Sequence, residues 1–227
     1  MPDRCLLYYI TDRTAFAADE PTRRRRLLEK ISEAARAGVD YTQLRERDLT
    51  TRDLESLARE AASIIREKRL ATDHCPPATA LLINSRTDVA LALEADGIHL
   101  RSSDISPREV TEVWKQCGAG TPARQLLPRV PLIAVSCHSP AEVAQAKADS
   151  ATFAVFGPVF EKEGKQPASL SLLHEACQTN LPVLALGGIT LENAQSCMAA
   201  GAAGIAAMRL FQENEVAEIV ERLRQKR

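Results

Sequence analysis

The feature that most constrains this chain is a repeat: short runs rich in branched and aromatic residues alternate with longer amphipathic stretches from one end to the other. Strands that alternate with helices build a parallel sheet, because each strand needs a crossover before the next can run the same way. Such strands are covered on both faces and read as apolar runs. The runs are 6–11, 40–44, 80–84, 97–100, 131–135, 152–156, 182–186 and 204–207. Pro21 opens the first helical stretch, Ser106-Pro107 the fourth and Ser139-Pro140 the fifth, while Leu191-Glu192-Asn193 leads into the seventh. Eight strand–helix units in 227 residues predict an α/β fold, a (β/α)8 TIM barrel forming one domain over 1–227.

The composition narrows the partners. A formal net charge of −1 gives no general ground for nucleic acid or an anionic membrane, so any basic site must be local. The run Arg23-Arg24-Arg25-Arg26 is accordingly expected to be a solvated helix face. Six cysteines without CxxC or finger spacing, and an N-terminus without a signal-peptide pattern, point to reduced thiols in a cytoplasmic protein; no cysteine is assigned a role. Two proline-bearing segments, 71–79 and 118–129, lie between a helix and the next strand, on the face away from the catalytic loops.

A parallel barrel brings every strand's carboxyl end to one mouth, where barrel enzymes build their sites. Gln43, Arg45, Glu46 and Arg47 close the second run; Asn84, Ser85 and Arg86 the third; His99, then Asp104, the fourth; Ser136, Cys137 and His138 the fifth. Gly157-Pro158 follows the sixth, with Lys162 and Lys165 beyond, and Gly187-Gly188 follows the seventh. Cations and hydrogen-bonding groups repeated at equivalent strand ends predict an anion site. Arg45 is expected to point inward, leaving Arg47 as an ion-pair partner for a carboxylate such as Glu46 or Asp48. Gly187-Gly188, with the end of the eighth run at 206–208, fits a phosphate held by backbone N–H groups. His138 serves either in the cap of the next helix or as a proton shuttle. His99, between Ile98 and Leu100, is expected in the core or lumen, and His74 and His174 carry no signal.

The strings Tyr9-Ile10-Thr11-Asp12-Arg13, Gln43-Leu44-Arg45-Glu46, Ile83-Asn84, Asp96-Gly97-Ile98-His99-Leu100 with Asp104, Val135-Ser136-Cys137-His138, Phe156-Gly157-Pro158-Val159-Phe160 and Leu186-Gly187-Gly188-Ile189 resemble, in order and spacing, the thiamine phosphate synthase and TenI family. The resemblance implies a transferase that couples hydroxymethylpyrimidine diphosphate with thiazole phosphate and releases pyrophosphate with Mg2+. The alternatives it leaves are a TenI-like thiazole tautomerase and a non-catalytic barrel that binds thiazole or thiamine phosphate. It further implies Gln43 and Asn84 on the pyrimidine, Arg45, Arg47 and Lys165 on the diphosphate, Asp104 on Mg2+, Ser136 near the leaving group, and Gly188 under the thiazole phosphate. Five positions depart from the synthase pattern: Ser85 stands for a metal-binding Asp, Lys162 and Gly164 for two threonines, Arg101 for a Gly, and Arg47 for a Lys. Asn84-Ser85-Arg86 and His138-Ser139 look more like TenI proteins, whereas Gln43 and Asp104 look more like the synthase. The oligomeric state, homo-oligomer or monomer, stays open.

Overall fold

A computed structural model describes residues 4–71, 79–118, 130–160 and 168–224. Eight strands, β1 (Leu6–Ile10), β2 (Tyr41–Leu44), β3 (Ala80–Asn84), β4 (Gly97–Leu100), β5 (Leu132–Cys137), β6 (Phe153–Phe156), β7 (Val183–Leu186) and β8 (Gly204–Ala207), pair in parallel in chain order, and β8 returns to β1 to close the barrel. The helices between them are α1 (Glu20–Ala37), α2 (Thr51–Ala71), α3 (Thr87–Ala92), α4 (Pro107–Gly118), α5 (Pro140–Ala148), α6 (Leu170–Cys177) and α7 (Ala194–Ala199). A short 3-10 turn (Arg13–Ala15) follows β1, and α8 (Arg209–Glu213) and α9 (Val216–Arg224) follow β8. The expected eight-stranded barrel is therefore the observed one. Most of the two proline-bearing segments, 72–78 and 119–129, lies outside the described residues. Among the described residues no helix is long and apolar enough to cross a membrane.

The helix starts follow from local chemistry. Asp19 caps α1 by accepting from Thr22 N at 3.1 Å, with Pro21 in the first turn, where its missing N–H costs nothing. Gly38 ends α1 in the left-handed region at φ 83°, a conformation that a residue with a Cβ resists. Ser139 caps α5 by accepting from Glu142 N at 3.2 Å, and the Glu142 carboxylate reaches back to His138 N at 2.9 Å. One strand is longer than expected: β5 runs on to Cys137, which makes Ser136 a strand residue.

Successive strand side chains face opposite ways, and here the two sets form separate cores. Leu7, Tyr9, Ile83, Val135 and Phe156 pack outward against helix residues such as Leu27, Ile31 and Leu57. Tyr8, Leu82, Ala134, Phe153, Val155, Leu184 and Ala206 point inward and fill the lumen. There Tyr41 stacks on Phe153 at 4.7 Å, and the Tyr8 ring meets both edge-on. The barrel is plugged, so any ligand is confined to its ends.

At the amino-terminal end Asp40 accepts from Leu7 N at 2.8 Å and from Arg224 Nη2 at 2.8 Å, and it pairs with Arg4, tying β1, β2 and α9 together. The closing seam is tighter still. A Cβ built on Gly204 would lie 2.0 Å from the Leu6 carbonyl oxygen, and between β4 and β5 one on Gly97 would lie 1.9 Å from that of Leu132. Gly204→Ala should force β8 away from β1 and cost about 1–3 kcal/mol or more, the usual penalty for overpacking a closed core. A urea midpoint unchanged from that of the parent would show that the seam has slack.

Candidate active site

The carboxyl ends of β1 and β2 are locked by one buried guanidinium. Arg13, only 4% exposed, donates to Asp48 through Nη1 at 2.7 Å and Nη2 at 2.9 Å, to Glu46 through Nη1 at 3.2 Å, and to Glu20 through Nε at 2.6 Å. Glu46, equally buried, also accepts from Thr11 Oγ1 at 2.6 Å and from Arg13 N at 2.9 Å. Burial pushes the Glu46 carboxyl up, and these hydrogen bonds oppose the rise. The Asp48 hydrogen bonds, followed by burial acting the other way and by those to Glu20 and Glu46, raise the pKa of the Arg13 guanidinium. The ion-pair partner of Glu46 and Asp48 is therefore Arg13 rather than Arg47, because the β1–β2 contact brings a residue distant in sequence closer than a sequence neighbour. Thr11 Oγ1 also receives Arg45 N at 3.0 Å, which fixes the backbone from which Arg45 projects.

With the nearby carboxylates spent on Arg13, Arg45 is half-buried and makes no ion pair among the described residues, and Arg47 is exposed. Burial first, then repulsion by Arg47 and Arg101, lowers the Arg45 pKa, while Asp12 and Glu46 pull it the other way. The mouth thus carries uncompensated positive charge.

Beside Arg45 a line of hydrogen bonds crosses three strand ends. Gln43 Nε2 donates to Asn84 Oδ1 at 2.8 Å, Asn84 Nδ2 to Ser85 Oγ at 3.3 Å, and Ser85 Oγ to Asp104 Oδ2 at 2.6 Å. Ser85 holds a left-handed backbone at φ 56°, unusual for a residue with a Cβ, and its N–H is bound by the His99 carbonyl at 2.9 Å. Asp104 also accepts from Arg101 N at 2.8 Å, Nη2 at 2.9 Å and Nε at 3.2 Å. Burial alone would raise this carboxyl; the bonds from Ser85 and Arg101 outweigh it and hold it below the usual carboxylate range.

A second line rises from the lumen. Tyr8 Oη lies 3.0 Å from His99 Nδ1, and His99 Nε2 lies 2.8 Å from Ser136 Oγ. Burial first, then repulsion from Arg45, lowers the His99 imidazole to about 3, so the ring stays neutral. The buried Tyr8 hydroxyl has no other acceptor among the described residues, so its proton goes to Nδ1. His99 then donates from Nε2 to Ser136, and the Ser136 proton is directed outward. The expectation of a lumen histidine holds; its coupling to Ser136, thirty-seven residues away, is an addition that depends on the β4–β5 register.

His138 takes the first of the two roles that the sequence left open, the cap. Its backbone joins the α5 cap, and its exposed ring donates from Nδ1 to the Gly157 carbonyl at 2.5 Å. A carbonyl cannot donate, so neutral His138 keeps its lone pair on Nε2. Gly187 and Gly188 turn with φ 97° and 63°, and a Cβ on Gly187 would lie 2.5 Å from Pro158 Cβ. Asn193 Nδ2 holds the Gly188 carbonyl at 2.8 Å, while the exposed Gly188 N–H donates to no described residue. Lys162 and Lys165 lie outside the described residues.

Residues 7–211 match the family model described as thiamine monophosphate synthase. The chain is 33% identical over 211 residues to a putative thiamine-phosphate synthase 2 from Aquifex aeolicus, covering 91% of this chain and 97% of that protein. It is 38% identical over 205 residues to a putative thiamine-phosphate synthase from Geobacter sulfurreducens, covering 88% and 83%. Among solved structures it resembles a thiamine phosphate pyrophosphorylase from Pyrococcus furiosus, with a TM-score of 0.74 and 25% identity over 97% of this chain and 94% of the other.

The neutral His99 gives the site a pH signature. The ordinary imidazole value is 6.5, so in acid the unfolded chain binds this proton before the folded one does, and stability falls as the pH drops below that value, continuing towards about 3. Between about pH 7 and pH 5 the loss should be about 2 kcal/mol. Urea unfolding of the parent at both pH values should show it, and His99→Gln should remove that part of the difference. An equal loss in the variant would mean that the proton binds elsewhere.

Proposed function

We propose, from the premise that this chain belongs to the thiamine monophosphate synthase family, that it acts in thiamine biosynthesis as a transferase, coupling hydroxymethylpyrimidine diphosphate with thiazole phosphate to give thiamine phosphate and pyrophosphate. The observation that carries this reading is Arg45, half-buried without a counter-ion among the described residues and set beside the Gln43–Asn84 amide pair. In this reading the amides hold the polar edge of the pyrimidine, and Arg45 and Arg47 hold the diphosphate. Lys162 and Lys165 are read as further cations on the diphosphate. The Gly187-Gly188 turn takes the thiazole phosphate on its exposed N–H.

The chemistry needs this polarity. As the bond to the diphosphate breaks, its electron pair leaves with the pyrophosphate, and the thiazole supplies the pair for the new bond to the pyrimidine methylene carbon. Negative charge grows on the leaving group, and cations already in place stabilise it as it forms, at no reorganisation cost. Ser136, its proton turned outward by His99, donates to the same oxygens.

The family implies Mg2+. Among the described residues no group of three His, Cys, Asp or Glu side chains could hold a metal, and both oxygens of Asp104 are taken by Ser85 and Arg101. These residues do not fit a resident Mg2+, and any Mg2+ in the reaction is read as the counter-ion of the diphosphate, part of the substrate. A second reading, tautomerisation of a thiazole carboxylate phosphate, is favoured by one observation: exposed His138 has Nδ1 held by Gly157 and Nε2 without a partner among the described residues.

Purified protein given both substrates with Mg2+ should form thiamine phosphate and pyrophosphate in equal amounts. Arg45→Ala should lower kcat/KM by about 10²- to 10³-fold, the loss typical of one preorganised donor. Ligand binding without product, or tautomerisation lost only in His138→Ala, would sink the coupling reading.

A further inference from the structure

Two positions where the sequence departs from the synthase pattern, Ser85 and Arg101, are the two residues whose side chains hold Asp104. All four contacts on this carboxylate are donors: Oδ2 receives Ser85 Oγ and Arg101 N, and Oδ1 receives Nε and Nη2 of Arg101. The carboxylate side chain is only 12% exposed, whereas that of Arg101 is 54% exposed. The guanidinium therefore covers Asp104 and turns its outer edge, with most of its donor fork unspent among the described residues, towards solvent. A divalent cation at Asp104 would have to displace a charge-assisted pair while gaining only one carboxylate, since position 85 supplies a hydroxyl whose proton is already committed.

We infer that Arg101 stands where a metal would: pinned by Asp104, it joins Arg45 and Arg47 in binding the pyrophosphoryl group directly, so that this chain holds pyrophosphate without a divalent cation. The inference rests on the diphosphate reading of the mouth given above. Asp104 is then a positioning residue that orients a guanidinium fork, a geometry matched to phosphate oxygens. The hydrogen-bond line from Gln43 through Asn84 and Ser85 to Asp104 ties the strand end that carries Arg45 to the one that carries Arg101, so the arginines open on the same mouth.

The test is calorimetric titration of inorganic pyrophosphate into the parent protein, in EDTA and then in Mg2+, with Mn2+ binding followed separately by electron paramagnetic resonance. The parent should bind pyrophosphate in EDTA and leave the free Mn2+ signal unchanged. Arg101→Gly should weaken metal-free binding about tenfold or more, as expected for losing a charge-assisted contact. The double variant Ser85→Asp, Arg101→Gly should take up Mn2+ and bind pyrophosphate only with a divalent cation. Parent protein that binds Mn2+ alone, or that binds pyrophosphate only with Mg2+, would overturn the inference without needing any variant to fold. If thiamine phosphate still forms in that case, the coupling reading stands and only the role of Arg101 falls. Failure to bind pyrophosphate under either condition, with no product formed, would overturn both.

Discussion

The site depends on closure of a parallel barrel. Once β8 returns to β1, every strand points the same way, and side chains far apart in sequence share one mouth. Closure rests on backbone approach as much as on packing: Gly204 leaves no room for a Cβ against Leu6, and Gly157 meets the Leu186 carbonyl oxygen in the same way, at 2.1 Å from a built Cβ. The stacked Tyr41 and Phe153, at the amino-terminal ends of β2 and β6, fill the lumen from that side and leave the polar groups to the opposite ends of the strands.

The arginines of this mouth divide into two kinds. Arg13 is nearly inaccessible and surrounded by Glu20, Glu46 and Asp48, so its charge is neutralised within the fold. Removing either side would leave an uncompensated buried charge, at a cost of about 3–5 kcal/mol. Because Arg13 absorbs these carboxylates, Arg45 next to them is left without one. The stability of the β1–β2 end and the positive potential of the mouth thus have a common origin.

Much of this fold is legible in sequence because the signals are local. Apolar runs mark the strands, and Asp19, Gly38 and Ser139 mark helix ends through hydrogen bonds to near neighbours. Local adjacency also misleads: Glu46 and Asp48 stand next to Arg45 and Arg47 in sequence, but in space they belong to Arg13. The Tyr8–His99–Ser136 line lay beyond reach for the same reason. It joins β1 to β4 across the lumen and β4 to β5 through their register, and no spacing within one run encodes contacts between different strands. The extra length of β5 completes it, since Ser136 can meet His99 only as an inward-facing strand residue.

The two hydrogen-bond lines have a common direction. One begins at a buried hydroxyl, passes through a neutral imidazole and ends on the Ser136 proton. The other begins at Gln43, passes through Asn84 and Ser85, and ends on a carboxylate that is itself covered by a guanidinium. In both, the acceptors face the protein and the last group facing the mouth is a donor. The uncompensated Arg45 and the exposed N–H of Gly188 extend the same pattern around the rim. A neutral or cationic ligand would leave these donors unpaired at a cost for each, whereas a molecule rich in phosphate oxygens satisfies them together. Nε2 of His138, the ring nitrogen that keeps its lone pair when the ring is neutral, is the acceptor set among them.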